Sequence, residues 1–356
     1  MTSTIAALLL LAGGGGQGPS LSSQAEGALK AGRPDAVPLF ERALQANPKW
    51  KEGWWALGGL HYAAGRPALG WESFARLTAL DESNGPAWLM RGLCEADVKD
   101  LSSAETSLRR GLQLGVSDAA IASPARYQLA KISTRAGRFE EALSLLVELA
   151  QTAKDNPAYI WLSGAAALWK PVLPDEIPAG ERELVFLAGQ AFWAGASRRD
   201  ADARAAFQAL VTRYPAAPGV HFLAGSFELS SNSDRALAAF RKELEITPGH
   251  AGALAALAAE HLKRGEAPKG LPYARTCVER HPGTFGCRVL LGRILAETGD
   301  LEGGVRELEA ARELNPEDPN ARFTLASLYS RQGRIADAAR ERAEFIRLRK
   351  GKSGAN

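Results

Sequence analysis

Pro248, Pro282 and Pro316 follow one another at intervals of 34 residues, and Gly265, Gly299 and Gly333 keep the same interval, as do Leu257, Leu291 and Leu325. A period of that length argues for a stack of like units, because one unit is too short to bury its own apolar face. Within each unit the fourth, seventh, eighth and eleventh positions fall on one face of a helix. The twentieth, twenty-fourth and twenty-seventh fall on one face of a second. Small residues at the eighth and twentieth positions let the two backbones approach, and glycine between the helices permits a tight turn. Proline near the end of the unit cannot continue the second helix, so the chain must turn again.

The unit from Ala251 supplies Leu254, Leu257, Ala258, His261, Gly270, Ala274, Cys277 and Pro282 to this pattern. The next, from Phe285, supplies Arg288, Leu291, Gly292, Leu295, Gly304, Leu308, Ala311 and Pro316. The last, from Pro319, supplies Arg322, Leu325, Ala326, Tyr329, Ala338, Arg342 and Phe345, with Lys350 in place of proline. These residues resemble the tetratricopeptide repeat, in its bacterial multi-repeat type. The resemblance implies an all-α fold, a right-handed α-solenoid superhelix of about nine helix-turn-helix repeats.

The N-terminal half carries the same register. Ala36, Phe40, Ala43 and Pro48 mark a second helix; Trp54, Leu57, Gly58, Gly70 and Phe74 a full unit; Trp88, Gly92, Ala104 and Leu108 another. Trp54 to Trp88 is again 34 residues, but Ala104 to Ala142 is 38, which places four extra residues in the inter-repeat loop near Gly115 to Ala122. After Asn156 and Pro157 the pattern stops. The sequence predicts a lone helix from Tyr159 to Trp169 and then a break carrying Pro171, Pro174 and Pro178, which forbid regular helix. The expected organisation is an N-terminal arm over 20–156, the break over 157–181, a C-terminal arm over 182–350 and a disordered tail over 351–356.

Residues 1–19 differ in composition: an apolar run from Ile5 to Ala12 precedes Gly13 to Gly16 and a small-residue stretch. They read as a secretory signal peptide or a flexible N-terminal segment, although no Lys or Arg precedes the run. Export to the periplasm or beyond is the expectation, with a cytoplasmic location the alternative; nothing later is long enough to span a bilayer. The three cysteines do not make a disulfide framework. Cys277 and Cys287 come within bridging reach in an oxidising compartment, while a small buried thiol is the expectation for Cys277 at its packing position.

Chemical motifs are absent: no phosphate-binding loop, nucleophile elbow, paired metal-binding histidines or CxxC. The five histidines are dispersed, with His61 and His261 at packing positions, so no metal site is expected. No cofactor or catalytic residue is assigned. Glu140, Glu141, Glu307 and Glu309 read as solvated helix surface. A net charge of +3 and the lack of a basic strip interleaved with aromatics disfavour nucleic acid.

The resemblance implies a binding groove lined by the first helix of each unit. Carried onto this chain, it offers Trp55, Tyr62, Leu89, Leu93, Tyr127, Lys131 and Arg135 in the first arm. In the second arm it offers His221, Glu228, Lys263, Arg293, Phe323 and Arg331. The Lys/Asn carboxylate clamp of some members is not reproduced, because Gly59 and Leu93 stand at the asparagine positions. Lys131 and Arg135, one helical turn apart, suit an acidic peptide. The function expected is a non-enzymatic scaffold for protein or peptide segments, in cell-envelope assembly. The alternative is an enzyme or enzyme subunit acting on an envelope polymer or glycan. The oligomeric state stays open.

Overall fold

A computed structural model of the chain describes the backbone of residues 20–353 and the side chains of 20–350. Residues 1–19, where the export segment is expected, lie outside the described residues. Among those described there are nineteen α-helices and no strand. By internal packing the described residues form two compact units, divided between Arg204 and Ala205.

The first unit contains α1 (Leu21–Lys30), α2 (Ala36–Ala46), α3 (Lys51–Ala63), α4 (Pro67–Leu80), α5 (Gly85–Asp97), α6 (Leu101–Gln113), α7 (Ala119–Arg135), α8 (Phe139–Thr152), α9 (Pro157–Ala167) and α10 (Arg182–Ala196). α11 (Asp200–Arg213) leads into the second unit, which holds α12 (Val220–Glu228), α13 (Ser233–Ile246), α14 (Ala251–Lys263), α15 (Ala267–Arg280), α16 (Phe285–Glu297), α17 (Leu301–Leu314), α18 (Pro319–Arg331) and α19 (Ile335–Ser353). Within each unit consecutive helices pair: α1 with α2 through α9 with α10, then α12 with α13 through α18 with α19.

The pairs form for the reasons the register supplies. Asn84, Asp100, Asp300 and Asp318 cap their helices by accepting backbone N–H bonds, each such cap being worth about 1 kcal/mol. Second helices drive one large side chain under the first helix of their pair: Phe40, Phe74, Leu108, Leu146, Phe240 and Leu308 are all fully buried. Each contributes about 2 kcal/mol of apolar burial. The facing position must be small. A Cβ added to Gly58 would meet the Phe74 ring at 2.8 Å, and one added to Gly92 would meet Leu108 Cγ at 2.7 Å.

Four features differ from the sequence expectation. The extra residues before Ala142 do not enlarge the loop; α7 has 17 residues where α5 has 13, so they add one helical turn and carry Pro124 inside it. Cys277 is not a free thiol: it bonds Cys287, with Cα atoms 5.6 Å apart, because the four-residue turn 281–284 folds the last turn of α15 onto the start of α16. Cys94 is the free cysteine among the described residues, buried, with its thiol pushed up to about 12 by that burial. α19 runs to Ser353, so the tail expected from residue 351 begins as helix.

The fourth difference concerns the break. α9 is not a lone helix but packs along α10, the two being joined by residues 168–181. At their crossing the backbones touch. A Cβ on Gly164 would lie 1.8 Å from the Val185 carbonyl oxygen, and one on Gly189 would lie 1.9 Å from that of Ile160. α9 also ends as the regular first helices do. Trp169 occupies the left-handed turn position with φ of 55°, where Gly65 and Gly137 have 69° and 73°. Lys170 N–H closes the motif on Ala165 O at 2.8 Å, as Arg66 N–H does on His61 O at 2.9 Å. Pro171 then stops a second helix from starting, and the compact unit continues through α10 to Arg204.

Candidate functional site

In the second unit, α16 and α18 bring Arg293 and Arg331 to the lining of one cavity of about 360 Å³. Leu262, Glu297, Thr324 and Ser327 share the lining. Arg331 Nη2 donates to Ala296 O at 3.2 Å, which aims its guanidinium along the helix ends. Arg293 is exposed and has no ion-pair partner among the described residues. Two guanidiniums with adjacent hydroxyls are groups that can donate to an oxyanion, with the Glu297 carboxylate beside them. Phe323, on the same helix as Arg331, is 60% exposed, with its ring tilted against that of Phe345 at 5.4 Å. Lys263 is solvent-facing and sits 3.5 Å from Glu260.

His221 does not join this face. It is buried, and its Nε2 lies 2.9 Å from Pro215 O. Leu89 and Leu93 of the first unit are likewise buried rather than presented. The reason for Leu89 is a glycine on the facing helix: a Cβ on Gly111 would lie 2.4 Å from Leu89 Cδ2, so Leu89 fills the space that Gly111 leaves. Trp55 is half-buried, edge-on to Phe74 at 5.6 Å. Tyr62 is half-buried too; burial and the nearby Asp97 push its hydroxyl well above the usual tyrosine range.

Of the remaining first-unit candidates, Arg135 meets the chain's own acidic segment. Arg135 forms an ion pair with Glu176, whose other carboxylate oxygen accepts the Leu173 N–H at 3.0 Å. Tyr127 stands 5.0 Å from the Tyr159 ring and donates to Ala158 O at 3.4 Å. Burial first, then Tyr159 and Asp175, push its hydroxyl up to about 12. Lys131 lies over the Tyr127 ring at 5.9 Å. Leu173 packs on the unit's core and Ile177 is buried, while Trp169 stacks on Phe139 at 5.9 Å. The segment 168–181 is therefore a strap folded onto the end of α7, and the acidic group that Arg135 holds is internal. Sequence reasoning missed Glu176 because a Pro-rich stretch gives no periodic signal; the adjacent Asp175 and Glu176 were the available cue.

Among the described residues no group of three His, Cys, Asp or Glu side chains converges as a metal ion would require, and no helix is long and apolar enough to cross a membrane.

Tetratricopeptide repeat profiles match residues 23–85, 188–251 and 289–344, and a second such profile matches 125–157. Together with the helix pairs, these matches cover more than half of the chain. The chain belongs to the tetratricopeptide repeat family. Among curated proteins, this repeat chain is 25% identical over 315 residues to cellulose synthase operon protein C of Pseudomonas fluorescens (strain SBW25). The match covers 86% of the chain and 22% of that relative, so the chain spans about a fifth of the relative's length. Solved structures with similar repeats include a MamA RS-1 ArsTM double mutant, 20% identical with a TM-score of 0.44, covering 49% of this chain and 97% of the other. MamA 41-end from Desulfovibrio magneticus RS-1 is 19% identical, with the same TM-score of 0.44 and the same coverage of 49% and 97%.

Proposed function

We propose that this tetratricopeptide repeat chain is a non-enzymatic scaffold that docks acidic segments of partner proteins at Arg293 and Arg331. The observation that carries the reading is that first helices of successive repeats bring two guanidiniums to one cavity, and that Arg293 is left unpaired. Arginine in a recessed face is among the residue types that dominate binding energy. A carboxylate bound by both would gain charge-assisted hydrogen bonds, strengthened by partial removal from water.

The test is anisotropy of a fluorescent hexaglutamate peptide titrated with the full chain. The Arg293→Ala/Arg331→Ala variant is expected to weaken binding at least about tenfold, or about 1.4 kcal/mol. Raising the salt is expected to weaken the wild-type complex. Equal affinity of variant and wild type would overturn the reading.

The setting proposed is the cell envelope, after export. The Cys277–Cys287 bond favours an oxidising compartment, and the curated relative is named for a cellulose synthase operon. N-terminal sequencing of the mature protein tests this, and a start at Met1 or Thr2 would refute cleavage of an export segment.

A further inference from the structure

A second cleft lies in the first unit and has no part in the docking just proposed. It has a volume of about 1000 Å³ and lies between α2 and α4, with α3 as its floor. α2 contributes Glu41 and Gln45, α3 contributes Trp54 and His61, and α4 contributes Trp71, Glu72 and Arg76; Lys49 stands between the first two. That volume is at the upper end of ordinary small-molecule sites, which span about 300–1,000 Å³.

We propose that this cleft binds a neutral oligosaccharide, stacking sugar rings on Trp54 and Trp71 and hydrogen-bonding their hydroxyls to Glu41, Glu72 and Arg76. Both indoles are held in place by their own N–H groups. Trp54 Nε1 donates to Pro48 O at 2.8 Å, and Trp71 Nε1 donates to Glu95 Oε1 at 3.0 Å. Glu95 is in turn held by Arg91 Nε at 2.8 Å. Trp71 is nevertheless 39% exposed, and Leu69 and Leu80 beside it are 40% and 36% exposed. A fixed, exposed indole is a preorganised platform for the apolar face of a sugar ring.

The charges select the ligand class. Two carboxylates, Glu41 and Glu72, are balanced by two cations, Lys49 and Arg76, and none of the four is ion-paired among the described residues. An acidic peptide would meet the carboxylates and a basic one the cations, each at a cost. Hydroxyl groups donate to the first kind and accept from the second, so a neutral polyol satisfies both. A further polar group waits at the floor. His61 is 4% exposed and its Nδ1 has no hydrogen-bond partner. Burial, and then the nearby Arg66, lower its pKa, which favours the neutral ring that can both donate and accept.

The experiment titrates the intact chain separately with cellohexaose, maltohexaose and a hexauronate, reading tryptophan fluorescence and heat. Binding of one neutral hexaose below about 1 mM is expected, with the hexauronate at least tenfold weaker. Trp71→Ala is expected to lose about tenfold or more, and Glu72→Gln, which leaves the Trp71 anchor intact, about threefold. Arg293→Ala/Arg331→Ala is expected to bind the sugar unchanged, which separates this proposal from the docking reading. A preference for cellohexaose would assign a flat β-linked glucan, and a preference for maltohexaose a coiled α-linked one. No response to either neutral sugar at about 10 mM would overturn the proposal, as would wild-type affinity in Glu72→Gln together with any folded Trp71 variant. Tighter binding of the hexauronate, or of hexaglutamate at this cleft, would overturn it too.

Discussion

The pair α9/α10 in the first unit and the pair α16/α17 in the second solve the same packing problem by different means. In α16/α17 the connection is Thr298, Gly299 and Asp300, and Leu308 Cγ and the Gly304 carbonyl oxygen sit 2.7 and 2.9 Å from where a Cβ on Gly292 would be. In α9/α10 the connection is the strap 168–181, and the contact at Gly164 and Gly189 is with backbone carbonyl oxygens at 1.8 and 1.9 Å. A long connection costs little extra, because loop-closure entropy rises only logarithmically with length. What cannot be relaxed is the closeness of two backbones. The irregular pair is thus set by its tighter backbone contact, the regular pair by its turn, one interlocking side chain and a looser approach of the two backbones.

The sharpest way to break that comparison is Gly164→Ala. Its methyl group would overlap a carbonyl that belongs to helix backbone, and the expected loss is about 3 kcal/mol or more. Gly292→Ala, whose methyl group would meet Leu308 Cγ and, at 2.9 Å, the Gly304 carbonyl oxygen, is a lesser overlap and is expected to cost about 1–2 kcal/mol. Thermal and urea unfolding of the two variants would measure this, and equal losses would remove the distinction.

Connections can be compared next. The turn between α15 and α16 is stapled by Cys277–Cys287 across a sequence separation of 10, and its removal by Cys277→Ser/Cys287→Ser is expected to cost about 2–3 kcal/mol. The strap carries no covalent staple, so treatment with reductant should lower the stability of the second unit and leave the first unchanged, a difference that hydrogen exchange resolves unit by unit.

A smaller effect comes from pH. Burial by itself would raise Glu141, but hydrogen bonds from Arg109, Arg138 and Ser133 outweigh it and hold the carboxyl below its ordinary range; Glu105 is lowered in the same way by Arg109 and Arg138. A carboxylate depressed in the folded state stabilises above its unfolded pKa, near about 4.3, and that contribution is lost as the pH falls through the folded value. Acidification from pH 5 to pH 2 should therefore loosen the α6–α8 region, and Glu141→Gln should flatten the dependence there. A profile unchanged by the substitution would mean that this network does not stabilise the fold.

The smallest expected effect is at the strap's ion pair. Arg135 and Glu176 are 49% and 37% exposed, so a double-mutant cycle should give a coupling below about 1 kcal/mol. A larger value would show that the strap is held by charge and not by Leu173, Ile177 and Trp169.

The periodic parts of this chain were legible because repetition averages out local ambiguity. Phe40, Phe74, Leu108 and Leu308 were expected under their partner helices and are found there. Of the candidate groove residues, Arg293 and Arg331 line one cavity, while His221, Leu89 and Leu93 are buried. Errors arose where one partner's size changed what another could do. Leu89 sinks because Gly111 is small, and Trp169 takes a turn conformation held by glycine at Gly65 and Gly137 and by Lys99 and Arg198 in two other turns.

The sequence by itself determined that the chain would be an all-α stack of helix pairs, since a 34-residue period with small, large and proline positions admits no other economical burial. Only the tertiary structure decided how α9 is paired, where the first unit ends and which residue Arg135 holds. The physical reason is that these depend on close approach between segments outside the register. Gly164 and Gly189 stand 25 residues apart, and Arg135 and Glu176 are separated by 41, so neither contact repeats and neither leaves a periodic trace.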